Sequence, residues 1–361
     1  MNRKKYTAPF YVDISITNSC NLKCVYCYAE ANENKHTNME VQLFSKIIKE
    51  LEANGVHYVR IAGGEPLIHP QIQDILDVCG EVQMLKSMST NATLLSSRLA
   101  SKIVEAKIDW VVVSLDGADA TTHDVTRGKF LDTVRGINLL QEAGIRMKIA
   151  CVVNSNNYKH IEKLVEFAKQ NGIYSVGFIL QSDVGRAHNC VNNFHMISIQ
   201  MKEFIEKVTL LKEKSKSVKV NVVFPYESSM PWEIKAYLND QVIDKIWREY
   251  VPYSQDREIS CMAGITTCAI SVEGELFGCE QMLGFPELSA GSLKDNSFKK
   301  LWDEFTCLKV LRDAQPEMLP LECQRCDIGF CGGGCRAIAY ANTKNLLGAD
   351  GRCTIVGREN V

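Results

Sequence analysis

Three cysteines in the run Cys20-Asn21-Leu22-Lys23-Cys24-Val25-Tyr26-Cys27 constrain this chain more than any other feature. The spacing C-x3-C-x2-C puts three thiols on one short loop. A 4Fe–4S cubane has four irons and is normally held by four thiolates. Three ligands leave one iron open, the arrangement that separates catalytic metal sites from closed structural ones. With 15 cysteines in 361 residues, random placement yields this pattern roughly 0.03 times per chain.

The cysteines are also unevenly spread, with three between Cys20 and Cys27 and nine between Cys261 and Cys353. The basic start, Met1-Asn2-Arg3-Lys4-Lys5, leads into a polar-interrupted strand pattern instead of a signal-peptide apolar core. No apolar run nears the ~20 residues needed to span a bilayer. A net charge of −2 gives no pull toward nucleic acid or an anionic membrane. The chain therefore reads as cytoplasmic, where reducing thiols keep disulfides open. Metal ligation accounts for both compartment and clustering.

From Tyr11 to Leu180, Val- and Ile-rich runs alternate with amphipathic stretches, as buried parallel strands and their crossover helices do. Strands are predicted over Tyr11–Ile16, Tyr58–Ile61, Val82–Ser87, Trp110–Leu115, Met147–Val153 and Ser175–Leu180. Helices are predicted over Val41–Ala53, Ser96–Ala106, Phe130–Ala143 and Tyr158–Gln170, with Gly55, Gly144 and Gly172 as stops. Six β-α units in series make an α/β fold with a parallel sheet. Composition leaves a doubly wound sheet and a curved partial barrel both open.

The length fits two domains and a bridge. Residues 8–200 hold the β-α units, and 201–257 form the bridge. A helix over Ile199–Lys214 enters that bridge and a strand over Lys219–Phe224 follows. Residues 258–361 make a small Gly- and Cys-rich domain, too poor in apolar core to stand without metal staples.

Gly63-Gly64-Glu65-Pro66 follows the second predicted strand, where glycines admit close backbone approach and a carboxylate can accept from an ammonium. Together with Cys20, Cys24 and Cys27 after the first strand, this resembles the radical S-adenosylmethionine (radical SAM) enzymes. The resemblance implies a (β/α)6 partial TIM barrel. Its cluster chelates SAM at the open iron and cleaves it reductively to a 5′-deoxyadenosyl radical. It also implies Gly63, Gly64, Glu65 and Pro66 around the SAM amino group and Tyr26 beside adenine. Asn91 and Ser114 fall along the ribose and carboxylate, and Val153-Asn154 at the family's adenine-flanking position. Arg127 and Arg135 each offer a bidentate partner for the SAM carboxylate, and the sequence does not choose between them.

The later cysteines are Cys261, Cys268, Gly274-x4-Cys279, Cys323-x2-Cys326-x4-Cys331-x3-Cys335 and Cys353. This resembles the SPASM domain, which adds auxiliary clusters to some radical SAM enzymes; the stretch 327–330 is one residue shorter than usual there. By that resemblance one auxiliary 4Fe–4S cluster takes Cys261, Cys268, Cys279 and Cys335. The other takes Cys323, Cys326, Cys331 and Cys353, for three clusters in all. The competing reading, a four-thiolate zinc ribbon, explains neither the interleaved eight nor the upstream motifs. A hairpin with strands over Ala269–Val272 and Leu276–Gly278 delivers Cys279, and Glu280 follows directly. In sulfatase-maturating relatives an Asp at this point is the general base on the substrate. A solvated surface acid is the other reading of Glu280.

The expected function is hydrogen abstraction from a side chain of a ribosomally made peptide or protein. The electron comes from a donor such as flavodoxin or ferredoxin. About ten residues precede the first strand, so a leader peptide needs a separate leader-binding protein or another surface. The alternatives are a formylglycine-generating sulfatase maturase and a tetrapyrrole-modifying enzyme.

Overall fold

The computed structural model describes residues 6–181, 184–187, 194–223, 234, 237–247, 259, 261–304, 306–326 and 331–353. Much of the bridge beyond Val223, the stretch 327–330 and Cys190 lie outside the described residues.

Seven parallel strands cross the sheet in chain order: β1 (Tyr11–Ser15), β2 (Tyr58–Ala62), β3 (Leu85–Thr90), β4 (Trp110–Ser114), β5 (Met147–Val153), β6 (Ser175–Leu180) and β7 (Lys219–Val223). The connections carry α1 (Val41–Ala53), α2 (Ile72–Gly80), α3 (Ser97–Glu105), α4 (Ala120–His123), α5 (Phe130–Glu142), α6 (Ile161–Gln170) and the helix Ser198–Lys214. The strand order never reverses. Right-handed crossovers then put every connecting helix on one face, whereas a doubly wound sheet reverses at a switch point. The sheet is the wall of a partial barrel.

Side chains alternate accordingly. Val12, Ile14, Val59, Ile61, Val111, Val113 and Ile149 are at most 1% exposed in the core beneath the helices. Arg60, Val112, Ser114, Ala150 and Val152 take the concave side. α1 covers the outer face with Leu43, Phe44, Ile47, Ile48 and Leu51, each contributing roughly 1.5–3 kcal/mol by burial. It stops at Gly55, whose φ of +82° suits glycine.

Inside, Tyr11 stacks on Tyr58 at 4.8 Å and Tyr58 tilts against Trp110 at 5.1 Å. The Lys148 ammonium lies 4.1 Å from the Trp110 ring centre. These residues sit at or near strand starts and close the floor, so the barrel opens at the carboxyl ends.

β3 begins at Leu85, three residues later than the predicted Val82. Val82 and Met84 are buried in the preceding turn, and their carbonyls are taken by the Lys86 ammonium at 2.8 and 3.2 Å. The sheet also runs across both expected domain boundaries. β7, from the bridge, pairs with β6. β8 (Thr267–Ile270), from the cysteine-rich part, pairs in parallel with β1, and β9 (Leu276–Phe277) returns antiparallel to β8. The β1 edge is thereby hydrogen-bonded instead of left open. Among the described residues no helix is long and apolar enough to cross a membrane.

Candidate active site at the open end of the barrel

The loop carrying Cys20, Cys24 and Cys27 leaves the end of β1 and is clamped from three sides. The Gly64 and Glu65 amides donate to the Thr17 and Ser19 carbonyls at 2.7 and 2.8 Å. A Cβ on Gly63 or Gly64 would run into those same carbonyls, so glycine is what lets the two segments touch. The Val25 amide donates to the Thr126 carbonyl at 3.1 Å. On the third side Arg186 donates from its amide to Cys27 O at 3.0 Å. Its guanidinium reaches Cys24 O at 3.0 Å and Ala31 O at 2.8 Å.

All three thiols line one cavity of about 260 Å³. Burial pushes the Cys20 thiol up to about 12 and the Cys24 thiol up as well. As bare thiols they are poor nucleophiles, whereas a bound cationic metal deprotonates such groups outright. Arg127 sits 4.0 Å from Cys24 Sγ, where a cation favours thiolate. A donor set of three convergent thiols, with no fourth from the same loop, fits a cubane keeping one iron free.

Glu65 is 1% exposed. Its Oε1 accepts from Thr90 Oγ1 at 2.6 Å and Leu67 N at 3.1 Å, and its Oε2 from Asn91 N at 2.7 Å. Burial pushes this carboxyl up to about 6 against the pull of those donors. The side chain ties the end of β2 to the end of β3 while still lining the cavity. Asn91, Ser114 and Tyr26 line it too. Pro66 is buried behind Glu65, at the start of a short 3₁₀ turn. Val152 lines the cavity in place of its neighbours Val153 and Asn154, which are buried off it.

The fold separates the two arginines. Arg127 lines the cavity, pairs with Asp116 at 3.0 Å and lies 5.2 Å from the Tyr26 ring centre. Arg135 is half exposed on α5 and donates to the Thr93 and Leu95 carbonyls at 2.9 and 3.2 Å, outside the cavity. Bound there, it has no line to the thiols.

Arg60, Asp13, Arg186 and Asp116 escaped the sequence reading. Their signal is a charge inside a strand of Val and Ile, as in Tyr58-Val59-Arg60-Ile61, or at a strand's end. Asp13 and Arg60 are register partners on β1 and β2 and form an ion pair. Tyr11 donates to Asp13 Oδ1 at 2.6 Å, and Asp13 Oδ2 is buried without a hydrogen-bond partner. Desolvation pushes Asp13 up to about 7 despite Arg60 beside it.

In the cysteine-rich part, Cys279 interacts electrostatically with Cys261 and Cys335. Cys323 does so with Cys326 and Cys353, and Cys331 with Cys323 and Cys353. Cys268 is placed by the sheet register. It lies in β8 opposite Val12, 1% exposed, and its charged neighbours are Asp13 and Arg312. Among the described residues no three His, Cys, Asp or Glu side chains close around a single-ion position. A zinc ribbon needs such closure, whereas a cubane spreads its thiolates over separate irons. Glu280 is no solvated surface acid: its side chain is 31% exposed, reaches Arg60 at 3.9 Å and lines the same cavity as Cys20.

The radical SAM superfamily model matches residues 14–168. An AdoMet-dependent heme synthase of Methanosarcina barkeri is 28% identical over 355 residues, covering 96% of both chains. Mycofactocin maturase MftC of Mycolicibacterium smegmatis is 26% identical over 351 residues, covering 96% of this chain and 83% of that protein. The crystal structure of Streptococcus suis SuiB bound to precursor peptide SuiA superposes with a TM-score of 0.77 at 19% identity, over 97% of this chain and 76% of that one, a likeness of fold. SAM and a 4Fe–4S cluster are the groups this superfamily uses at the three-cysteine loop. The chain carries a radical SAM domain over residues 14–168 and continues into a cysteine-rich C-terminal region.

Proposed function

We propose that the enzyme abstracts hydrogen from a side chain of a ribosomally made peptide or protein. The carrying observation is a second cavity, about 550 Å³, that adjoins the first and shares Tyr28, Gly63, Gly64 and Gln281 with it. Its volume falls within the ~300–1,000 Å³ of ligand sites. The barrel supplies Thr17 and Lys35, and the cysteine-rich part supplies Ser271, Glu273 and Phe285. Aromatic faces beside mixed polar groups suit a short peptide stretch. A tetrapyrrole brings several carboxylates, and Lys35 is the one cation among the described lining residues of this cavity.

In this reading Cys20, Cys24 and Cys27 hold a cubane, which when bound supplies the electron that splits the SAM sulfonium. Arg127 faces the SAM carboxylate, the Gly63-Gly64 backbone admits its amino end, and Tyr26, Asn91 and Ser114 wall the rest. Glu280 sits where a substrate proton could be taken. Two auxiliary clusters occupy the C-terminal cysteines, and flavodoxin or ferredoxin donates electrons.

A second reading, a tetrapyrrole substrate, is favoured by the identity to the heme synthase along nearly the whole of both chains. The experiment is anaerobic reconstitution with SAM and dithionite, followed by mass spectrometry. Peptides encoded beside the gene and an iron porphyrin are offered in parallel. Peptide mass change with 5′-deoxyadenosine is expected. Porphyrin turnover alone moves the assignment to the second reading, and no deoxyadenosine at all removes both.

A further inference from the structure

β6 ends at Leu180, and the chain then meets the cysteine loop through Val184-Gly185-Arg186-Ala187. Val184 is buried, and Ala187 packs with Cys20, Leu22, Cys24, Tyr26 and Ala31 in a small apolar group separate from the main core. The approach is close: at Gly185 φ is +61°, and a Cβ there would run into the Cys27 and Tyr28 carbonyls. The next residue, Arg186, caps the Cys27 carbonyl with its amide and the Cys24 and Ala31 carbonyls with its guanidinium.

Capping carbonyls calls for N–H donors, not for charge. A neutral amide supplies them without the desolvation cost of a half-buried cation. Arg127, the other cation beside Cys24, is offset by Asp116 at 3.0 Å. Among the described residues no carboxylate pairs with Arg186, whose bonds all go to backbone oxygen. Cys24 lies in the fields of Arg127, Asp116 and Arg186 together. The first two oppose one another, and Arg186 is left as the net charge.

A cubane held by Cys20, Cys24 and Cys27 gains one negative charge when it accepts an electron, and net charge is among the properties that set iron–sulfur potentials. A cation at short range in a partly desolvated site stabilises that added charge more than it would in water. We propose that Arg186 is a positioning residue whose positive charge, held against the cysteine loop without a carboxylate to offset it, raises the reduction potential of the cubane at Cys20, Cys24 and Cys27. The electron then enters at a less negative potential. The inference rests on a cubane at these cysteines and not on the choice of substrate.

The test is a redox titration of the full chain, reconstituted anaerobically. It follows the electron paramagnetic resonance signal that added SAM perturbs, an equilibrium readout that needs no turnover. Arg186→Gln keeps a donor for one carbonyl and loses the charge, whereas Arg186→Lys keeps the charge and loses the two-pronged fork. The Gln variant should make reduction about tenfold less favourable, about 59 mV more negative for one electron, with iron per chain unchanged. The Lys variant should titrate near the wild-type potential. A Gln variant at the wild-type potential overturns the proposal. So does an equal shift in both variants, because the fork and not the charge is then what matters. If the Gln variant binds about four irons fewer, the Lys variant decides: full iron content supports a role for the charge, and the same loss overturns it. A wild-type spectrum that SAM leaves unchanged removes the cluster assignment, and this proposal with it.

Discussion

The Arg60 guanidinium on β2 lies 3.9 Å from the carboxylate of Glu280, the residue after Cys279. One side chain therefore links the concave wall of the barrel to the cysteine-rich part, at the rim of the cavity that also holds Cys20, Cys24 and Cys27. Under the proposed function, radical generation belongs to the cysteine loop and any proton removal to this junction.

Glu280→Gln should separate the two. Cluster content and deoxyadenosine formation should persist while product formation falls ~100-fold, the usual weight of a general base. The readout is the ratio of deoxyadenosine to product by liquid chromatography and mass spectrometry. A Gln variant with wild-type product yield removes Glu280 from proton transfer.

Arg127→Lys should weaken SAM binding and Arg135→Lys should not. A lost charge-assisted hydrogen bond costs about 1.5–3 kcal/mol, or roughly 10- to 150-fold in Kd. Equilibrium dialysis against labelled SAM measures this. Equal loss in both variants would contradict the placement of Arg135 on carbonyls outside the cavity.

Gly64→Ala should damage the site through sterics alone. The added methyl meets the Ser19 carbonyl, and relief pushes the cysteine loop away from β2. Overpacking of this kind costs about 1–3 kcal/mol, read as a lower melting temperature. Iron per chain should fall together with SAM cleavage, while Gly284→Ala, where a Cβ meets nothing within 4 Å, should change neither.

Asp13 should make stability depend on pH. Its carboxyl is raised from 3.8 to about 7 in the folded chain, so the fold holds the proton more tightly than the unfolded chain does. That contribution is complete below pH 3.8 and is lost as pH rises through about 7. Asp13→Asn should flatten the melting temperature across this window. A variant with the wild-type slope would mean the pair with Arg60 keeps Asp13 charged throughout.

Most of the barrel was legible in the chain. Met147–Val153 and Ser175–Leu180 form strands with the predicted bounds, and Val41–Ala53 the predicted helix. Each rests on a local cause, an apolar period or a glycine stop. β3 slipped because Val82 and Met84 are apolar without being strand: a turn can bury side chains too. Arg60 and Asp13 went unread because a charge within a Val/Ile strand has no meaning until the strand has an inside.

Local chemistry was enough to bring Cys20, Cys24 and Cys27 together as candidate ligands, since three thiols within one loop meet at one place under almost any fold. The same holds for Gly63 and Gly64, whose missing side chains announce a close approach. Face and partner are non-local properties, and only the tertiary structure decided them. Cys268 and Cys279 stand within a dozen residues of one another, yet Cys268 is fixed in β8 opposite Val12 while Cys279 meets Cys261 and Cys335. Arg127 and Arg135 are eight residues apart, and packing turned one into the cavity and the other onto the carbonyls of Thr93 and Leu95. Spacing counts residues along the chain, while a ligand sphere counts side chains across it, and the sheet register is what converts one into the other.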